Sequence, residues 1–437
     1  MARFTPRART LVAATCLVTA TVLIAGCSQS GAGTSAGASS ASAPPASPHS
    51  AAQGSPSSPA AESSTGASEP TPSGSSADSS SPTTTPTGGT DISAYLNEPT
   101  FVSPGAPFDI TKVKGKSIAV VPATSNQYDN TIQAEMKTLA DKYGVHYTNY
   151  PNQGQPTQWA SSLNQAIATK PDLIILNTAL DPRQVLSQIK AAKAQGIPVI
   201  ATHFFDQDQS AALGTSCGGP QELCDAGLTA TVNAPFNLAT RVEADWIVQD
   251  SGGKAHVMVI TADDAAPTAG MVQAAKDEFA KKCPACVVDV QNVLVSDWPS
   301  KIPTLVSTAL TRDPDLHYIL PVFDFGAPYA ATGIVTAGKS GQVKIVSYNG
   351  TQSVLQLLQK GGPIAVDVGE PLNWLAYAFM DQAFRVLAGV APVADEHSPI
   401  RVFTKDNVAD AGTPPTVTGG YGDAYIAGYQ QLWRNGS

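Results

Sequence analysis

KSIAVVP at 116–122, DLIILN at 172–177 and IPVIATHF at 197–204 are apolar, β-branched runs with helical patterns between them. After the first run, Ile132, Met136, Leu139, Ala140 and Tyr143 recur at helical spacing, and Gly144 stands where a left-handed cap closes the helix. A second strand is predicted at 145–150. Trp159, Leu163, Ala166 and Ile167 then mark one helix, and Val185, Leu186, Ile189 and Ala192 mark the next, with Gly196 after it. Strands apolar on both faces, separated by helices, require a parallel sheet covered on both sides. Residues 205–235 break the rhythm with a Gly-rich stretch, after which RVEADWIVQDSGG at 241–253 reads as helix. A second series follows: AHVMVI at 255–260, VVDVQNV at 287–293, HYILPVF at 317–323, VKIVSY at 343–348 and IAVDVG at 364–369. The fold class is therefore α/β, with two doubly wound parallel-sheet lobes in preference to one very wide sheet. Ligands of such sheets bind beyond the C-terminal strand ends, and two such edges facing each other form a closing cleft.

The 437 residues are uneven in composition, because most of the Ser, Pro and Thr excess precedes residue 91. The formal charge is −9, and removal of residues 1–26 with Arg3, Arg7 and Arg9 leaves 23 basic against 35 acidic residues, or −12. An acidic body repels phosphate backbones, so nucleic acid is not an expected partner. Residues 1–10 hold three Arg and no acid, and LVAATCLVTATVLIAG follows at 11–26. That run is short for a spanning helix and reads as a signal peptide. Leu23-Ile24-Ala25-Gly26-Cys27 resembles the bacterial lipobox, which makes Cys27 the expected lipidation site and the membrane a partner through the anchor. Between 28 and 90 there is no Val, Ile, Leu, Met, aromatic, Lys or Arg. Such a segment buries too little apolar surface to order itself, and as a flexible tether it spans roughly 40–50 Å.

Cys16 leaves with the signal, and Cys217, Cys224, Cys283 and Cys286 remain besides Cys27. In an oxidising compartment they read as disulfides, with the local pairs favoured among three connectivities. A redox role for Cys283-Pro-Ala-Cys286 is the rival reading, disfavoured because the pair follows a helix instead of opening one. Zinc would need further ligands at suitable spacing, so no metal or cofactor is expected. Gly214-Thr215-Ser216-Cys217-Gly218 matches the nucleophile elbow without the strand and helix that the elbow needs, and no catalytic residue is assigned.

KGKSIAVVPATSNQYDN, PDLIILNTALDP, IPVIATH, VMVITADD and IVSYNGT together resemble the type I periplasmic substrate-binding proteins of ABC transporters, in the ribose-binding and LacI-like sugar-binding branch, here in lipoprotein form. The resemblance covers roughly residues 112–404. It implies two lobes joined by a three-segment hinge: lobe 1 at 112–233 and 371–399, lobe 2 at 234–370 and 400–437, with 91–111 an N-terminal extension. It also implies ligand contacts in the loops after the strands. Asn126 and Tyr128 follow the first. Asp181 follows the third, where a helix N-cap before Pro182 is the rival reading. His203 and Phe204 stand where many sugar binders carry Asp-Arg. In lobe 2 the candidates are Asp264, Phe323, Asp324, Asn349, Glu370 and Trp374, the last with a core role as its rival. These residues include acids and amides but no Arg or Lys, which favours a neutral or cationic ligand over an anionic one. The expected function is capture of a small polar ligand, a sugar or polyol, by a monomer on the extracytoplasmic face of the membrane, for delivery to an ABC permease. A flytrap presenting its ligand to a membrane sensor is the alternative, and an extracytoplasmic hydrolase is a weaker one.

Overall fold

The computed structural model describes residues 92–434. The signal peptide, Cys27 and the tether lie outside the described residues. Five strands form the first sheet: β2 (Ser117–Pro122), β3 (His146–Asn149), β4 (Leu173–Asn177), β5 (Val199–Asp206) and β6 (Leu228–Ala234). All pair in parallel in the order β3-β2-β4-β5-β6, with Val120 facing Asn149 on one side and Ile175 on the other. β2 and β4 are buried on both faces because α1 (Gln127–Tyr143) covers one side while α2 (Pro156–Ala168) and α3 (Leu186–Ala194) cover the other. The predicted Gly144 cap is present at φ 71°.

The stretch 205–235 is more regular than its composition suggests. It holds α4 (Gln207–Leu213), α5 (Gln221–Ala226) and β6, which is buried except at half-buried Thr229 and Asn233. Cys217 and Cys224 are bonded across this stretch, and Cys283 is bonded to Cys286, so both local pairings form.

The second sheet contains β7 (His256–Thr261), β8 (Val287–Asn292), β9 (Tyr318–Pro321), β10 (Lys344–Asn349), β11 (Ile364–Gly369) and β12 (Arg401–Thr404). Its order is β12-β11-β10-β9-β7-β8, parallel except for β12, which runs antiparallel to β11. The helices α6 (Phe236–Asp250) and α7 (Thr268–Lys282) cover one face, and α8 (Trp298–Arg312), α9 (Ala327–Thr336) and α10 (Gln352–Lys360) the other.

The chain crosses between the lobes after β6, after β11 and before β12, and two further segments also cross. Ile92, Tyr95 and Leu96 pack on the lobe 2 core, whereas Phe101 and Phe108 pack in lobe 1. The expected assignment of 400–437 to lobe 2 is corrected beyond residue 423. There α12 (Ala424–Leu432) buries Tyr425 and Tyr429 in the lobe 1 core beside α11 (Leu372–Leu387). The two-residue strand β13 (Trp433–Arg434) then pairs in parallel with β1 (Phe108–Asp109). The reason is apolar matching: Trp433 stacks on Tyr377 at 5.6 Å and meets Phe384 of α11 and Tyr143 of α1 edge-on at 5.2 and 5.4 Å.

Candidate functional site

The loops after β2, β4, β5, β9, β10 and β11 converge where the two sheets' C-terminal edges face each other. The backbone there is strained. Among the described residues, six non-glycine positions have positive φ, and four of them line this one cleft: Thr178 (46°), Ala179 (58°), His203 (54°) and Asn349 (138°). Each costs roughly 1–3 kcal/mol and persists only where its surroundings hold it. Thr178 N–H donates to Thr202 Oγ1 (3.1 Å), and Ala179 N–H to the His203 carbonyl (3.0 Å). Gly350, after Asn349, sits at φ 70°, and a Cβ there would meet Gly369 Cα at 2.8 Å. The turn needs glycine on both counts.

At the cleft floor the two lobes are joined through one carboxylate. Glu370, at the end of β11, accepts the Tyr128 hydroxyl of lobe 1 (2.6 Å) and Asn349 Nδ2 (2.8 Å) on Oε1. Its Oε2 accepts the Tyr348 hydroxyl (2.8 Å) and lies 2.8 Å from His203 Nε2 of lobe 1. Burial alone would raise the Glu370 carboxyl; the charge of His203 and the bonds from His203, Tyr128 and Asn349 outweigh it and hold the group below its ordinary range. Burial, followed by the Glu370 charge, pushes the Tyr128 and Tyr348 phenols well above theirs, so both remain donors. Beneath Asn349, Asp324 accepts Ser347 Oγ (2.6 Å) and both the N–H and hydroxyl of Thr351 (2.7 Å each). Asp367 accepts Gly350 N–H (3.0 Å). The two carboxyls fix the Asn349 turn from below.

Above this floor lies a cavity of about 460 Å³, within the roughly 300–1,000 Å³ usual for small-ligand sites. Its walls differ in chemistry. Lobe 1 contributes Thr124, Ser125, Asn126, Gln153, Thr178 and His203, together with Asp129. Lobe 2 contributes Val295, Trp298, Phe323, Phe325 and Tyr329, flanked by Phe236 and two prolines. The lobe 2 wall has one amide, Asn349, and its Oδ1 is buried without a partner in the protein. No Lys or Arg lines the cavity. Asp129 accepts Thr124 Oγ1 (2.6 Å) and the Thr178 hydroxyl, and burial raises its carboxyl to about 6.

Of the expected contacts, Asn126, Tyr128, His203, Phe323 and Asn349 line this cavity. The others do not, and the reasons are structural. Asp181 caps the turn at Pro182–Val185 through Arg183 N–H (2.9 Å) and ion-pairs with the Arg183 guanidinium, so the capping role prevails. Phe204 is 2% exposed in the core beneath α5 and stacks on Phe205. His203 sits at φ 54°, where the β5 ladder is irregular, and its ring turns to the cleft while Phe204 enters the core. Trp374 is buried on α11 and stacked on Tyr425 at 5.0 Å, which is the core reading. Asp324 and Glu370 act from below the floor. Asp264 is exposed beside the cavity and accepts Val295 N–H (3.2 Å), holding the loop that carries Val295.

Apart from Phe323, the lobe 2 aromatic wall is not anticipated from the sequence. VVDVQNV was read as strand through residue 293, yet β8 ends at Asn292 and the following loop delivers Val295 and Trp298. The Trp298-Pro299 pair opening an amphipathic helix was the available signal. The GTSCG motif follows α4, not a strand, and its Cys217 is disulfide-bonded, so no nucleophile elbow forms.

A sequence model described as "Periplasmic binding protein domain" matches residues 118–390. The chain is 24% identical over 290 residues, 64% of its length and 85% of the other's, to a D-ribose/D-allose-binding protein of Pseudomonas aeruginosa. Among solved structures it resembles an ABC transporter solute-binding protein of Agrobacterium vitis bound with α-D-tagatopyranose (TM-score 0.58, 22% identity, 68% of this chain and 96% of that one). It also resembles a 5-methylthioribose transporter solute-binding protein of Thermotoga lettingae (TM-score 0.58, 17% identity, 75% and 100%). With a sequence match over more than half its length and two facing parallel-sheet lobes around a cleft, this chain belongs to the periplasmic binding protein family.

Proposed function

We propose that the protein captures a small neutral ligand, a sugar or polyol, between its lobes and delivers it to an ABC importer. The observation that carries this reading is the interlobe cavity itself: lined by no Lys or Arg, polar on one wall, and floored by a carboxylate that ties lobe 1 to lobe 2. A ligand bridging the walls would favour the closed arrangement by its differential affinity for it, and closure is the state a permease can recognise. The ligands named for the relatives above support the chemical class. The resemblance of residues 23–27 to a lipobox supports anchoring by lipid at Cys27 on the extracytoplasmic face, with the protein acting as a monomer on a tether. The test is thermal shift of the full chain against pentoses, hexoses, polyols, amino sugars and nucleosides. A ligand at 100 times its Kd adds about 2.7 kcal/mol of stability. The expected result is a hit that Asn349→Ala abolishes; a folded protein that no member of the panel stabilises would count against a sugar or polyol cargo.

A further inference from the structure

Free sugars present hydroxyls around their whole rim, and a site for one needs hydrogen-bonding groups from both sides. In this cleft most of the polar groups come from lobe 1, and lobe 2 adds the Asn349 amide and the Tyr329 hydroxyl. Thr124, Ser125, Asn126, Gln153 and Thr178 face a lobe 2 wall of Val295, Trp298, Phe323, Phe325 and Tyr329, in which Asn349 is the single amide. The Trp298 indole N–H is already used, donating to the Val293 carbonyl (2.8 Å). Two of the wall residues are costly to leave in water: Phe325 is 43% exposed and Val295 is 44% exposed, and Leu294 beside it is 44% exposed. These three belong to the few large apolar side chains left exposed among the described residues; Phe325 and Val295 line the lobe 2 side of the cavity, and Leu294 precedes Val295 in the chain. An apolar lip beside a polar wall matches a ligand of the same polarity split.

We propose that the ligand is a neutral glycoside: a sugar ring that carries an apolar or aromatic substituent, with its hydroxyls on the lobe 1 wall and its substituent against Phe325, Val295 and Trp298. The unpartnered Asn349 Oδ1 accepts one hydroxyl or N–H of the ligand at the boundary between the two halves. The inference rests on the solute-binding reading above.

The experiment is titration calorimetry on the full chain with matched pairs that differ only in the substituent: methyl and phenyl β-glycosides of glucose, galactose and ribose, and ribose against inosine and adenosine. The substituted member of at least one pair is expected to bind about tenfold tighter or more, the effect of burying one ring face. Phe325→Ala, at a position 43% exposed, is expected to shrink that ratio to about threefold or less in protein shown to be folded, whereas Phe325→Tyr retains it. Equal or tighter binding of the unsubstituted member overturns the proposal and leaves the solute-binding reading standing. Absence of binding across every pair, with the chain folded, overturns both.

Discussion

Glu370 shows how one buried residue can join two lobes. Its two oxygens meet side chains of Tyr128 and His203 from lobe 1 and of Tyr348 and Asn349 from lobe 2. Glu370→Gln replaces one acceptor oxygen by an amide NH2 facing donors, and loss of a buried charge partner of this kind costs about 3–5 kcal/mol. The expected outcome is a lower urea midpoint together with a larger radius of gyration by small-angle scattering, because the pairs that are lost are the ones crossing the cleft. Asp129 is the other informative residue. Its folded value, about 6, lies above the roughly 3.9 of an unfolded Asp, so its contribution is fully present below about pH 4 and lost as pH rises to 6. Asp129→Asn is therefore expected to gain on the native chain by about 2–3 kcal/mol between pH 4 and 6 and by nothing further above that. Urea midpoints at pH 4, 6 and 8 check this.

At the scale of elements, α11 and α12 explain why an aromatic-rich helix that invites a ligand reading is instead a packing hub. Trp374, Tyr377 and Phe384 on α11 meet Tyr425, Tyr429 and Trp433 from the chain's end. Trp374→Ala removes a stacked, buried indole and is expected to cost about 3–5 kcal/mol. Calorimetric affinity for whichever ligand the panel identifies should be unchanged in the folded fraction, because Trp374 does not line the cavity. A loss of affinity without a loss of stability would return it to the site. The strand-end loops differ: Thr178, His203 and Asn349 are buried at the cleft, and strained Thr178 and Ala179 are held by backbone N–H bonds to β5 one strand away.

For the molecule as a whole, acidity is a design constraint. Burial raises Glu243, Asp367 and Glu396 well above the ordinary carboxylate range, with the neighbouring Asp324 charge adding to the first two and that of Asp381 to the third. Both Glu243 oxygens are without partners. Raised carboxyls give stability that is complete below about pH 4 and declines as pH climbs toward their folded values, at up to about 1.4 kcal/mol per pH unit for each group. Glu370, held low, works in the opposite direction and matters only under acid conditions. The net expectation is a urea midpoint that falls from pH 5 to pH 8; a midpoint that rises over this interval would contradict protonated interior carboxyls. The five crossings between lobes, two more than the hinge expected from the family, also place the described chain ends in the same structural economy as the cleft.

The residues alone determined most of the strands, though not β6 or β12, together with the two series of βα units, the local disulfide pairs and the strand-end positions from which a site would be built, because apolar period and Gly caps are local signals. Asn126, Tyr128, His203, Phe323 and Asn349 were legible for that reason: each stands at or shortly after the end of an apolar run. What only the tertiary structure decided was which side of a strand or helix faced the cleft, and which distant partner satisfied each side chain. Phe204 and Trp374 went into cores, Asp181 capped its own turn, and Glu370 became the tie between lobes. The apolar wall of Val295, Trp298 and Phe325 came together from separate loops. Burial and pairing are properties of contacts between segments far apart in the chain, so no single stretch of it could display them.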